Sequence, residues 1–395
     1  MRIGIDYTAA VWQGAGIGRY TRELIRAVVG LDPAITYRLF YAAGGLPAAS
    51  PYLADLRALG AAHPNVQLRP IPLSPRLLTV LWQRLRLPLP VEALVGPLDL
   101  LHAPDFVLPP TRARTLVTVH DLTFLVRPEC AEAGLRRYLT RAVPRALRRA
   151  DLVLVDSQAT AADLARLLGV DGARVHLIYP GVDPRFRPLP SAASEATRAR
   201  FGLPASFLLF VGTLEPRKNL PRLVRAFARI ADPDLHLVIA GRRGWLYEEI
   251  FATVEQLALQ NRVHVLDFVA DAELPALYNL ARAFVYPSLY EGFGLPVLEA
   301  LACGAPVVTS GVSSLIEVAG EAAVLVDPLD EAAIADGITR ALRDAARLRA
   351  AGPAQARQFR WDTAAQRLLA CYRTLGAGGP SKGSRDHVFT ERSDR

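Results

Sequence analysis

Short apolar, β-type runs alternate with longer Ala/Leu/Arg stretches of helical period along almost the whole chain, and the alternation is interrupted once, at 179–190, by four prolines and a glycine. Strands that read as continuous apolar runs, each followed by a helix, belong to parallel sheets covered on both faces. This pattern requires an α/β architecture of two similar units joined by the proline-rich linker Tyr179–Pro190. In the first unit, strands are expected at 2–5, 37–41, 67–70, 98–102, 115–119, 152–155 and 175–178, with helices at 17–29, 133–149 and 157–168. Ser157 has the residue type and position of an N-cap. In the second unit, strands are expected at 207–211, 236–240, 263–266, 283–287, 306–309 and 323–326. Helices are expected between them at 220–230, 246–259, 273–281 and 295–302, then at 331–350 and 362–375. The tail from 377 has almost nothing apolar to pack and reads as disordered.

Composition narrows the function classes. The chain has 395 residues and a formal net charge of +8. Residues 1–190 carry 23 Arg, no Lys and 15 acids, whereas residues 191–395 balance 23 bases against 23 acids. A basic excess raises nucleic acid as a partner, but no zinc-finger spacing, heptad-linked basic region or aromatic-basic RNA-binding segment accompanies it, so no nucleic-acid role is expected. Three scattered cysteines, Cys130, Cys303 and Cys371, form no CxxC pair and fit ordinary thiols in a reducing compartment. No signal-peptide core and no run long enough to cross a bilayer is present, and the expected location is cytoplasmic.

The densest chemistry lies in Glu291-Gly-Phe-Gly-Leu-Pro-Val-Leu-Glu299, directly after the strand that ends in Val285-Tyr-Pro-Ser288. Gly292 and Gly294 permit close backbone approach, and Pro296 suits the first turn of a helix. Backbone N–H groups near Phe293, Gly294 and Leu295 would face an anion such as a diphosphate. Glu291 before the helix and Glu299 inside it can line one pocket. In Gly212-Thr-Leu-Glu-Pro-Arg-Lys-Asn219, a strand and glycine turn lead to Arg217 and Lys218 just ahead of a helix, so two cations converge near a helix start. Val117-Thr-Val-His-Asp-Leu-Thr-Phe124 ends a strand with His120, where open α/β sheets place ligands. His102, also at a strand end, reads as a packing or orienting histidine.

The nine-residue block resembles the E-x7-E motif of the retaining, nucleotide-sugar-dependent glycosyltransferases of family 4, also called group 1. Their GT-B fold has two Rossmann-like domains facing across a cleft. The resemblance extends over residues 1–375 and implies domains at 1–185, on the acceptor side, and 186–360, which binds the nucleotide sugar. It implies a last helix, 361–376, that crosses back to the first domain. It implies no metal or other cofactor, with the nucleotide diphosphate sugar as co-substrate and a glycan or lipid-linked acceptor. Arg217 and Lys218 would stabilise the leaving diphosphate, Glu291 would hold sugar hydroxyls near C3 and C4, and His120 the 6-hydroxyl or the reacting face. Glu299 would hold the ribose, Phe268 and Val269 the base. Gly212, Phe293, Gly294 and Leu295 would border the phosphates.

Gln13-Gly-Ala-Gly-Ile-Gly-Arg-Tyr20 resembles the family's Gly-Gly-x-Gly-Arg-Tyr segment, with Gly16 facing the donor phosphates. Three positions depart from the family pattern: Ala15 replaces a glycine, Asp267 stands at a glycine position beside the base, and Ile316 stands where proline is common. The overall form is most similar to bacterial mannosyltransferases of polysaccharide or glycolipid assembly, which implies GDP-mannose. UDP-glucose, UDP-galactose or a dTDP-sugar are the alternative donors, and a non-catalytic protein binding anionic lipid is the alternative of a different class. The basic, partly apolar segments 75–87 and 135–149, the second with six arginines, suit an anionic membrane leaflet.

Overall fold

A computed structural model describes residues 1–14 and 16–378; Ala15, Lys382 and the expected tail from 379 onward lie outside the described residues. The first sheet comprises β1 (Arg2–Asp6), β2 (Thr36–Ala42), β3 (Val66–Ile71), β4 (Leu100–Ala103), β5 (Arg114–Val119), β6 (Leu152–Val155) and β7 (Val175–Leu177), in the order β3-β2-β1-β4-β5-β6-β7. The second comprises β8 (Phe207–Val211), β9 (His236–Ala240), β10 (Val263–Leu266), β11 (Ala283–Tyr286), β12 (Val307–Ser310) and β13 (Ala323–Val326), in the order β10-β9-β8-β11-β12-β13. The described ladders are parallel, as in β8 with β9 (Leu208 opposite Leu237) and β8 with β11 (Leu209 opposite Phe284). Helices cover both faces of such sheets, which is why Leu-Val-Leu-Val in β6 and Ala-Phe-Val-Tyr in β11 are buried at every position.

By compactness the chain divides into one unit of residues 1–118, 145–153 and 365 onward, and another of 119–144 and 154–364. In the first, Tyr372 on the helix Trp361–Ala377 brings its hydroxyl 2.8 Å from His102 Nδ1, while His102 Nε2 lies 3.2 Å from the Thr118 hydroxyl. His102 is fully buried and orients packing, in line with its sequence reading. In the second unit the 179–190 segment has no helix or strand, and it docks on the segment that leads into the last helix: Val182 N–H donates to the Phe359 carbonyl at 3.2 Å.

Ser157 caps as its residue type suggests, accepting from Thr160 N–H at 3.1 Å, so the helix proper runs Gln158–Leu168. The long helix expected over 331–350 is instead two, Glu331–Arg343 and Ala345–Ala356, because the chain turns at Asp344 between them. Helices Thr8–Trp12, Pro51–Ala62, Ser191–Phe201 and Leu315–Ala319 escape the periodicity reading. None is longer than 12 residues, and over so few turns the apolar period is too short to stand out.

Candidate active site

In both sheets the strand order reverses between two neighbours, and in open parallel sheets ligands bind at the carboxyl ends beside such a reversal. In the second sheet the reversal lies between β8 and β11. Gly212–Asn219 follows β8, and Pro287–Gly294 follows β11, so the two motif loops emerge side by side. Their backbones are tied, with Leu289 N–H donating to the Arg217 carbonyl at 2.8 Å. Pro216–Lys218 forms one 3-10 turn, closed by Asn219 in the left-handed conformation at φ 60°. Asn219 fastens this corner by donating its side-chain amide to the carbonyls of Pro287 (3.0 Å) and Pro328 (2.7 Å).

At this corner Glu291 receives both cations. Lys218 Nζ donates to Glu291 Oε1 at 2.6 Å and to the Tyr286 hydroxyl at 2.6 Å. Arg217 donates to Glu291 Oε2, to the Tyr290 carbonyl at 3.1 Å and to Glu215 at 2.7 Å. Lys218 and Glu291 are each only 6% exposed, so this is a buried quartet of two acids and two bases. Burial alone would raise the Glu291 pKa, but Arg217 and Lys218 outweigh it and hold the carboxyl at about 2. Burial, seconded by Arg217, pushes the Lys218 ammonium down against the opposing pull of Glu291. A carboxylate offers about four acceptor positions, so Glu291 can hold both cations and still interact with the neighbouring hydroxyls of Ser288 and Tyr286.

The glycines of the block have distinct causes. Gly294 adopts φ 105° as the cap of the helix Leu295–Ala302, and a Cβ there would lie 2.7 Å from Leu315 Cδ2. Gly292 has no room for a side chain: a Cβ would stand 2.1 Å from the His120 carbonyl oxygen. That contact brings the end of β5 against the Glu291 loop. His120 Nδ1 lies 2.5 Å from Asp156 Oδ2, and the His120 carbonyl accepts from Thr160 Oγ1 at 3.1 Å. His120 and Asp156 directly follow the neighbouring strands β5 and β6, so the pair is a product of strand adjacency.

Not every expected residue joins this cluster. Glu299 is buried and accepts from the Tyr278 hydroxyl at 2.9 Å. Phe293 turns into the core, with its ring centroid 5.6 Å from Phe359 and 6.1 Å from Tyr179, so only its backbone borders the loop. Gly212 lies along the Lys218 stem, its Cβ position 3.7 Å from Lys218 Cε. Leu295 is half-buried at the first position of its helix, and Val269 is buried in the core. Phe268 is 50% exposed, with the Arg242 guanidinium 4.2 Å above its ring. Gly16 belongs to the other compact unit, where it caps the helix Ile17–Val29 at φ 57°.

Four side chains that sequence reading passes over prove structural to the site: Asp156, Tyr286, Ser313 and Ser314. Ser313 Oγ accepts from Glu291 N–H at 3.0 Å, and Ser314 Oγ reaches the carbonyls of Glu291 and Phe293, both at 2.9 Å. Asp156 and Tyr286 lie at the ends of apolar strands, and that position is the one signal that could have marked them. Ile316, at the position where a proline is common, is exposed and touches none of these groups' hydrogen bonds.

Comparison with known proteins gives the family and the fold. A family model described as glycosyl transferases group 1 matches residues 195–358, and one described as glycosyltransferase family 4 matches residues 14–186. The chain is 32% identical over 373 residues to the O-antigen chain mannosyltransferase B of Escherichia coli, covering 91% of this chain and 96% of that protein. The sucrose-phosphate synthase of Thermosynechococcus elongatus superposes with a TM-score of 0.74 at 25% identity, covering 95% of this chain and 99% of that one. The Anabaena protein HepE, in complex with UDP and glucose, has the same fold, with a TM-score of 0.70 at 19% identity and 94% and 99% coverage. With both motif loops at the strand reversal, the chain has the two-sheet GT-B fold and belongs to the group 1, family 4 glycosyltransferases.

Proposed function

We propose that this enzyme transfers mannose from GDP-mannose to a glycan or lipid-linked acceptor in polysaccharide or glycolipid assembly, with retention of configuration and without a metal. The observation that carries the reading is the buried meeting of Arg217, Lys218 and Glu291 beside the start of the helix Leu295–Ala302. Breaking the bond between sugar C1 and the diphosphate oxygen leaves negative charge on the diphosphate, which fixed cations at a buried corner stabilise far better than water does. The acceptor hydroxyl oxygen then bonds to C1 from the same face, and its proton passes to the departing diphosphate oxygen. No protein nucleophile is invoked. Glu291, oriented by its two cations, takes the sugar hydroxyls near C3 and C4. His120, braced by Asp156, takes the 6-hydroxyl or the reacting face. Glu299 takes the ribose.

Similarity to a mannosyltransferase over 91% of the chain supports the sugar. The base is supported by the exposed pair of Phe268 and Arg242, which offers a stacking face, and by the neighbouring Asp267. A carboxylate suits guanine, which presents two adjacent N–H donors, and is repelled by the flanking carbonyls of uracil. For the acceptor side, Leu77, Leu85, Leu87 and Leu89 are exposed among the exposed Arg76, Arg84 and Arg86, a face that fits an anionic leaflet. In the 135–149 segment, Arg149 instead ties down a turn by donating to the carbonyls of Leu108 (3.2 Å) and Pro109 (2.8 Å).

The test is turnover of GDP-mannose by the wild type, by Glu291→Ala, by Lys218→Ala and by Lys382→Ala as the control. Full turnover in the first two variants would remove the site assignment. A thermal-shift panel of nucleotide sugars reads the donor directly, because a ligand that binds only the folded chain raises its apparent stability.

A further inference from the structure

Two sets of groups meet at the candidate site. His120, Asp156 and the helix Gln158–Leu168 that follows them form one; the Glu291 loop and the short helix Leu315–Ala319 form the other. Glu317 on that short helix joins them. Its Oε2 accepts from Gln158 N–H at 2.9 Å, and its Oε1 accepts from Ala159 N–H at 2.8 Å. The Tyr179 hydroxyl donates to Oε2 at 2.8 Å. Ser157 satisfies only the amide of Thr160, so Glu317 supplies the partners for the two earlier amides of the helix, and its negative charge sits where the helix dipole favours it.

Each end of this bridge leads directly to chemistry. On one side the capped helix begins two residues after Asp156, whose carboxylate faces His120 Nδ1, and Thr160 in its first turn holds the His120 carbonyl. On the other side, Ser313 and Ser314, four and three residues before Glu317, hold the backbone of Glu291 and Phe293. A second tie runs parallel to the first: the Tyr290 hydroxyl donates to Asp163 Oδ2 on the same helix at 2.7 Å. The geometry points to Glu317 as a positioning residue that sets His120 against Glu291 for sugar transfer. It acts through the helix start and not on substrate, and it rests on the reading of His120 and Glu291 as the sugar-contacting pair. The donor cations are fastened separately, at the corner where Asn219 donates to the carbonyls of Pro287 and Pro328, so they keep their place without Glu317.

The experiment is steady-state kinetics on Glu317→Gln and Glu317→Asp with GDP-mannose, together with amide hydrogen exchange on the same proteins. Loss of a charge-assisted clamp on two amides should lower kcat about ten- to a hundredfold in Glu317→Gln. The donor KM should stay within about threefold, because groups held elsewhere bind the diphosphate. Glu317→Asp keeps the charge with a shorter reach and should give an intermediate kcat. Exchange should quicken about tenfold both at residues 158–160 and at 288–294 in Glu317→Gln, the second segment being remote in sequence from the substitution. A kcat within twofold of wild type, or a loss carried by KM alone, would overturn the assignment. Unfolding of both variants would overturn it too, by making Glu317 a residue that only holds the fold. If the wild type turns over no nucleotide sugar, the functional reading fails. Exchange then decides the bridge separately, and unchanged exchange at 288–294 would remove it.

Discussion

Replacing Glu291 by alanine removes the carboxylate that pairs with both Arg217 and Lys218 and leaves two buried cations with Glu215 and the weaker influence of Asp121. Breaking a buried pair in this way costs about 3–5 kcal/mol, because the charge left behind is uncompensated. The titration of the same carboxyl gives a similar size: a group held at about 2 against an ordinary 4.5 carries about 3 kcal/mol at neutral pH, at about 1.4 kcal/mol per pKa unit. Chemical denaturation at pH 7 should therefore place Glu291→Ala about 3–5 kcal/mol below wild type. The deficit should shrink as pH rises. Without Glu291, the Lys218 pKa falls further below its unfolded value of about 10.4. Between the folded pKa and that value the unfolded chain binds more protons, so stability rises with pH until both states have lost theirs. Adding Lys218→Met to Glu291→Ala should return most of the loss, giving a coupling energy of more than about 1 kcal/mol in a double-mutant cycle. Independent losses, or a flat pH profile for Glu291→Ala, would refute the account of the quartet as an interdependent charge set.

In wild type the slope has the same sign but falls in an acid window: the stabilisation from Glu291 is complete above about 4.5 and is lost as pH falls through about 2, so acid unfolding monitored by circular dichroism should lose part of its pH slope in Glu291→Gln. Gly292→Ala places a Cβ against the His120 carbonyl; it should cost about 1–3 kcal/mol and lower kcat, whereas an unchanged melting temperature and rate would show that the loop is free to move. Asp267→Gly should narrow the preference for GDP- over UDP-sugars, measured as a ratio of kcat/KM, and Phe268→Ala should raise KM for both donors, since stacking does not depend on the base. Co-sedimentation with vesicles should rise with anionic lipid and fall in a variant with Arg76, Arg84 and Arg86 replaced by Ser; binding indifferent to lipid charge would remove the leaflet as a partner.

Local chemistry was enough for much of this protein. The apolar runs of β6, β8 and β11, and of β9 after His236, declared a doubly covered parallel sheet, since burial on both faces leaves no polar alternation. The Gly-Pro punctuation at 294–296 marked the helix start at Leu295, and the spacing from Glu291 to Glu299 marked the site. Tertiary structure decided which groups touch. That β8 neighbours β11 is what seats Lys218 on Glu291, although 73 residues separate them, and that β5 neighbours β6 is what pairs His120 with Asp156. Glu317 is the one charge in the run Leu-Ile-Glu-Val-Ala, and its role depends on two amides more than 150 residues earlier. Periodicity and capping are properties of neighbours in sequence, whereas the pairing of strand ends depends on the packing of whole sheets.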